Sequence, residues 1–179
     1  MKKWQTLKSE VLHENPWYSL RKDDFETDNG KQGHYYYAHI AGAGMIVPVT
    51  NEGKLVVVKQ YRYLLGEESL EFPGGGVKEG DDCLETMQNE LAEEAGLRAR
   101  NWVEVGRFMP HLGICDETCV VFIARHLKSV PKPPADELDE LVVIELTPKE
   151  FEDKIVKQEI KDGMTLAAWL LVKNKINNV

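Results

Sequence analysis

Three consecutive glycines, Gly74-Gly75-Gly76, precede an acidic segment that ends at another glycine, Gly96. That segment constrains the fold most. Residues Asp82 to Ala95 read as one helix, with Asp81 or Asp82 as N-cap and Gly96 as the C-terminal stop. Glu90, Glu93 and Glu94 stand on it at i, i+3 and i+4, so three carboxylates share one face. Like charges at that spacing repel and weaken the helix, so a compensating partner is expected. A cluster of this kind taken alone is usually a solvated face. The glycines change the balance, because a backbone without side chains comes close to a cation and a substrate and offers a carbonyl as a further oxygen ligand. Magnesium takes such ligands, keeps several waters and completes its shell with phosphates; manganese is the alternative.

Around this segment the chain reads as strands with helices interspersed. Trp17 to Glu26 and His34 to Ile40 alternate about Asp28-Asn29-Gly30-Lys31, a good hairpin turn. This N-terminal β unit, residues 1–41, is too small to stand alone. It packs either on its own domain or on a second copy of the chain, as a dimerisation element. Residues 42–179 form the main domain. Its expected strands are Met45 to Val49, Leu55 to Val58 leading into Gln60-Tyr61-Arg62-Tyr63, Trp102 to Phe108, Thr118 to Ala124 and Leu141 to Leu146. Pro131, Pro133 and Pro134 mark a loop. Helices are expected at Pro148 to Val156 and at Met164 to Lys175, the second with Leu166, Leu170 and Lys173 along one face. Without a GxGxxG or Walker loop, this order fits an α/β fold of the α+β type, a sandwich with a mixed central sheet, better than a doubly wound nucleotide fold.

Composition removes several function classes. At 179 residues and 42% hydrophobic the chain can bury a core. Its formal net charge of −8 lacks the clustered cations that a nucleic-acid backbone requires. Anionic nucleotides nevertheless reach acidic sites as magnesium complexes. The N-terminal apolar residues are broken by Lys8, Glu10, His13 and Glu14, and no stretch reaches the roughly 20 apolar residues of a membrane span. A soluble, intracellular, cytoplasmic protein is expected. Cys83, Cys115 and Cys119 have no CxxC spacing and read as buried or half-buried free thiols.

The glycine-helix segment resembles the Nudix box, G-x5-E-x7-R-E-U-x-E-E-x-G-U with U a bulky aliphatic. Aligned at Gly75, it places Glu90, Leu91, Glu93, Glu94, Gly96 and Leu97 on the expected positions, with Asp81 for the first Glu and Asn89 for the Arg. Most of residues 40 to 175 resembles the ADP-ribose and nucleotide-sugar pyrophosphatase branch. Gln60-Tyr61-Arg62 is similar to its QYR segment, and Glu71-Phe72-Pro73-Gly74-Gly75 to its ELPAG segment. Gly113-Ile114-Cys115-Asp116-Glu117 is similar to its SPGxSDE, with His111 and Leu112 at the Ser-Pro positions, and Asp136 to Glu140 resembles its acidic loop.

The resemblance implies a Nudix α/β/α sandwich and magnesium-dependent cleavage of a nucleoside diphosphate sugar, of GDP-mannose or ADP-ribose type, by a homodimer. Glu90, Glu94 and the Gly74 carbonyl would hold magnesium, Glu93 a further ion, and Glu137 or Glu140 would take the proton of the attacking water. Arg62 reads as a phosphate or base contact, or as a surface arginine at a strand end. Glu71 is either a metal-shell residue or the polar end of a strand. His111 and Glu117 fall in the substrate loop, where His111 contacts substrate or packs the loop. Trp17, Tyr18 and Tyr35 to Tyr37 stack on a base or pack the hairpin. In the family the box arginine orients carboxylates, so Asn89 also admits a second reading, a nucleotide-binding sensor or interaction module without useful catalysis.

Overall fold

The computed structural model describes residues 3–132 and 141–176. Its first three strands, β1 (Gln5–Glu14), β2 (Ser19–Glu26) and β3 (Gln32–His39), form an antiparallel sheet of their own. The β2–β3 hairpin turns where the sequence indicates, with Gly30 at φ 77 and its amide donating to the Thr27 carbonyl at 2.8 Å. Strand β1 carries no alternation that marks it in advance. All ten of its residues are exposed, and two irregularities against β2, at Thr6/Lys8 and Val11/His13, break what pattern there is.

The remaining strands are β4 (Ala43–Pro48), β5 (Leu55–Arg62), β6 (Glu67–Glu71), β7 (Gly74–Gly76), β8 (Leu97–Phe108), β9 (Cys119–Ser129) and β10 (Val142–Leu146). They make two sheets. One is mixed, in the order β7-β4-β9-β8 with β4 parallel to β9; the other is antiparallel, β10-β5-β6. A bridge between Val49 and Leu55 joins them through the β4–β5 turn.

Helix α1 (Cys83–Ala95) covers one side, and α2 (Pro148–Val156) and α3 (Gly163–Val172) cover the other. Because both faces of the central strands are buried, they read as continuous apolar runs rather than alternating ones. Ile46, Val56, Val120 and Phe122 pack toward Met87, Leu91 and Ala95 of α1. Val47, Val57, Val121 and Ile123 pack toward Phe151, Ala168, Trp169 and Val172. This is the expected α/β/α sandwich.

One expected face was misplaced. In α3 the buried residues are Thr165, Ala168, Trp169 and Val172, whereas Leu170 is 67% exposed. So many apolar residues in one short helix leave its inward face undefined by sequence, and the bulky Trp169 takes the core position. The thiols are free, Cys119 buried and the other two half-buried, and burial pushes Cys119 up to about 12.

The N-terminal sheet is latched to the rest through β3. Asp116 accepts from the Ile40 amide at 3.1 Å, and its other oxygen lies 2.6 Å from Nδ1 of His39. The Ala38 amide donates to the Ile114 carbonyl, and the Tyr35 hydroxyl to that of Gly113. The loop after β8 is thereby pinned beside β3.

Candidate active site

Helix α1 is fixed at both ends by its own sequence. Asp82 caps the start, accepting from the Glu85 amide at 2.8 Å, and Gly96 ends it at φ 64, a left-handed conformation that glycine adopts without steric cost. Met87, Leu91 and Ala95 bury one face at i, i+4 and i+8. Glu90 and Glu94 each follow a buried residue by three, which sets them at the border of that face, beside β7.

Strand β7 consists of three glycines, paired to Ala43, Gly44 and Met45 of β4. The glycines are needed for space. A Cβ on Gly75 would lie 2.7 Å from Oε1 of Glu90, and one on Gly74 would lie 2.3 Å from the Gly44 carbonyl oxygen. The Gly74 amide donates to Oε2 of Glu94 at 2.9 Å. The glycine run and the acidic helix therefore meet, carboxylates against bare backbone.

Both carboxyl groups are raised above the ordinary carboxylate range. Burial pushes Glu94 up to about 7, and Glu90 adds to this against the opposing pull of the Gly74 amide and Arg62. Burial also raises Glu90, with the neighbouring Glu93 charge contributing. A cation between the sheet and the helix would relieve both. The donor set is carboxylate and backbone oxygen, which fits a hard divalent ion. Among the described residues no group of three or more His, Cys, Asp or Glu encloses such an ion. Water and substrate oxygens would have to complete the shell.

Glu94 and the glycines line a cleft of about 400 Å³ together with Arg62, Glu71 and Asp162. Glu71, at the end of β6 and only 5% exposed, accepts from Nε of Arg62 at 2.9 Å and again from Nη2, and from the Gln60 amide at 3.1 Å. Burial opposes its charge, but Arg62, with help from Ser69 and Gln60, outweighs burial and holds the carboxyl below the usual range. Arg62 is raised in turn by the Glu71 hydrogen bonds, with Asp162 and Glu94 adding to the attraction. Arg62 is thus not an idle surface arginine. It is a clamped cation at the cleft wall.

The other expected site residues lie apart. Glu93 is exposed, and its charge raises Glu90. His111 is exposed in the loop after β8, and Glu117 is half-buried before β9, raised by burial and by Asp116. Asn89 is exposed, with no side-chain partner among the described residues. Glu137 and Glu140 lie outside the described residues.

Asp162 and Met164 are among the cleft residues that the sequence does not indicate. Asp162 caps α3 by accepting from the Thr165 amide at 2.7 Å, and Met164 follows it into the cleft lining. The Asp-Gly-Met-Thr run carries a cap signal, but it gives no hint that the cap faces Arg62.

Comparison with known proteins agrees with this geometry. A family model described as the nucleoside diphosphate sugar hydrolase N-terminal domain matches residues 4–38, and one for the NUDIX domain matches residues 39–164. A methanol dehydrogenase activator of Bacillus methanolicus is 31% identical over 92% of this chain and 89% of its own length. An ADP-ribose pyrophosphatase of Bacillus subtilis (strain 168) is 30% identical over the same shares of the two chains. A crystal structure of an ADP compounds hydrolase superposes with a TM-score of 0.84, covering 98% of this chain and 95% of that one at 19% identity, which shows a common fold. Glycine strand, carboxylate helix and family models coincide on the same residues: the chain belongs to the Nudix hydrolase family, in the branch that carries the nucleoside diphosphate sugar hydrolase N-terminal domain.

Proposed function

We propose that this Nudix hydrolase cleaves the diphosphate linkage of a nucleoside diphosphate sugar, of ADP-ribose or GDP-mannose type, to a nucleoside monophosphate and a sugar phosphate, with magnesium, or manganese in its place. The supporting observation is the apposition of Glu90 and Glu94 to the glycine strand, two half-buried carboxyls set against bare backbone. The ADP-ribose pyrophosphatases among its relatives favour the same substrate class.

In this reading Glu90, Glu94 and the Gly74 carbonyl hold the ion, and Glu93 serves a further one. A divalent cation held there supplies charge neutralisation for the diphosphate and a more acidic water. The bare Gly74–Gly76 backbone lets the diphosphate approach those carboxylates. Glu71 fixes the Arg62 guanidinium at the cleft wall, where its remaining N–H groups face an anionic substrate. A water oxygen bonds to phosphorus as the bridging P–O bond breaks, and the water's proton passes to Glu137 or Glu140. His111 and Glu117, in the loop pinned against β3, contact the sugar or base.

The working form is a homodimer in the cytoplasm. The N-terminal sheet, residues 1–41, is its dimerisation element, and residues 42–179 are the hydrolase domain. Support comes from the apolar residues that sheet leaves uncovered, among them Leu7, Val11 and Trp17 at 51%, 54% and 79% exposure. Among the described residues no helix is long and apolar enough to cross a membrane.

The exposed, unpartnered Asn89 favours a second reading, a nucleotide-binding module without turnover. Release of monophosphate from ADP-ribose, GDP-mannose, ADP-glucose and UDP-glucose, with magnesium and with a chelator, separates the two. Magnesium-dependent cleavage of one or a few supports the hydrolase. Folded protein that binds a nucleotide and cleaves none establishes the module instead.

A further inference from the structure

At the far end of the central strands, the β8–β9 pair sets cation opposite cation. Arg98 pairs with Lys128 across the ladder, and Arg100 and His126 lie between the next two pairs, Ala99–Leu127 and Asn101–Arg125. All four are exposed. Like charges facing each other weaken a sheet. Among the described residues no carboxylate lies within ion-pair distance of Arg98, Arg100, His126 or Lys128. In a chain of net charge −8, acidic partners are plentiful, yet none of the described ones is paired here.

The cluster is also concave. Arg100, His126 and Lys128, with Asn51, Asn101 and Leu127, line a groove of about 470 Å³. His126 sits at φ 54 within β9, a left-handed conformation that a side-chain-bearing residue holds only where its surroundings impose it. The polar lining is rich in donors: a guanidinium fork, an ammonium and two amide groups, with only the amide carbonyls and one imidazole nitrogen able to accept. Such a lining suits a compact ligand that is all acceptor and carries negative charge. A phosphate group meets that description, and the guanidinium fork can bind two of its oxygens at once.

The groove is separate from the catalytic cleft. Strands β4 and β9 run parallel from Ala43 and Cys119, at the cleft, to Pro48 and Ala124. Asn51 and His126 lie beyond that far end, so roughly 20 Å of strand separates the two sites.

We propose that this groove is a second anion site, which takes the phosphate group of a small ligand through Arg100, Lys128, His126 and the Asn51 and Asn101 amides.

The test titrates inorganic phosphate, and separately AMP, into the ¹⁵N-labelled full chain at constant ionic strength, following the amides of residues 100–101 and 126–128. Expected is a saturable shift with a dissociation constant of about 1 mM, a range that exposed charge-assisted contacts reach. It should weaken at least about ten-fold in Arg100→Gln/Lys128→Gln and persist in Glu94→Gln, as two independent sites require. Saturation by inorganic phosphate identifies the free ion as sufficient, and saturation by AMP alone identifies an ester phosphate; both support the site. No saturable change with either ligand overturns it, as does a change undiminished in the double variant or reproduced by added chloride. If the double variant loses its fold by circular dichroism, Lys128→Gln alone is read in the same way.

Discussion

The Gly74 amide donates to Oε2 of Glu94 across 2.9 Å, joining the glycine strand to the helix that carries the box carboxylates. The bond favours the ionised carboxyl, yet burial carries Glu94 from 4.5 to about 7. A carboxyl raised on folding binds its proton more tightly in the native state, so ionising it costs native stability. In metal-free protein that cost is absent below pH 4.5, grows as the pH rises toward 7 and then levels off.

Glu94→Gln should remove this penalty while keeping an acceptor for the Gly74 amide. In chelator at pH 8 the variant should be about 1–3 kcal/mol more stable than the parent, and its stability should decline less between pH 5 and 7. Magnesium-dependent turnover should fall roughly 100-fold or more. Urea unfolding across pH and initial rates measure the two effects, and a variant that keeps parental turnover removes Glu94 from the cation site.

Cation affinity should carry the opposite pH dependence. Because Glu94 must lose its proton to bind a cation, magnesium affinity should rise about ten-fold per pH unit as the pH climbs toward 7, then flatten. Titration calorimetry in two buffers of different ionisation enthalpy should show proton release below pH 7. Affinity independent of pH across this range would contradict the assignment.

Neighbouring glycines should fail differently. Gly74→Ala meets the Gly44 carbonyl oxygen at 2.3 Å, a backbone atom that cannot step aside, so the β4–β7 pairing should be lost at a cost of about 2–4 kcal/mol. Gly75→Ala meets the end of the Glu90 side chain, which can rotate away. Its stability should change by less than about 1 kcal/mol while magnesium affinity falls. Thermal unfolding beside magnesium titration distinguishes them, and equal destabilisation of both would refute the distinction.

Arg62→Ala leaves Glu71 buried without its cation and should cost about 1–3 kcal/mol, discounted because Arg62 itself is half exposed. Glu71 has a folded pKa below its ordinary value, so its stabilisation is present at neutral pH and lost as the pH falls through that lowered value. Adding Glu71→Gln to Arg62→Ala should recover part of the loss, as a double-mutant cycle would show. Strictly additive effects would mean that the pair is not coupled.

The proposed dimer rests on the uncovered N-terminal sheet. Light scattering should give twice the chain mass at micromolar concentration, and Leu7→Lys/Val11→Lys should return the mass to one chain with little loss of fold. A parent protein that is monomeric at that concentration removes the assembly.

The sequence was most informative where the backbone's own needs wrote it. Asp82 and Gly96 delimit α1 to within a residue of the expected span, and the Thr147–Glu150 capping box with Pro148 fixes α2 where the pattern placed it. Glu90 and Glu94 were legible because helical spacing and a glycine run are both local signals. What depends on long-range pairing was not. The three glycines of β7 become a strand only through β4, and β1 only through β2. The Arg62–Glu71 clamp joins residues on two strands, and the placement of Asp162 opposite it depends on how α3 docks. No local periodicity carries such information.

The latch at Asp116 bears on how this protein can be divided. One of its oxygens accepts from the Ile40 amide and the other meets His39, residues that adjoin the boundary between the two family models at 38 and 39. Evolution and engineering can exchange a module cheaply when only a tether joins it to its neighbour. Here the boundary carries a contact of its own, between a carboxylate in the loop after β8 and donors at the end of β3. A foreign N-terminal sheet grafted in place of β3 therefore loses the Asp116–His39 contact together with the Ala38 and Tyr35 bonds to the same loop, unless it supplies equivalents.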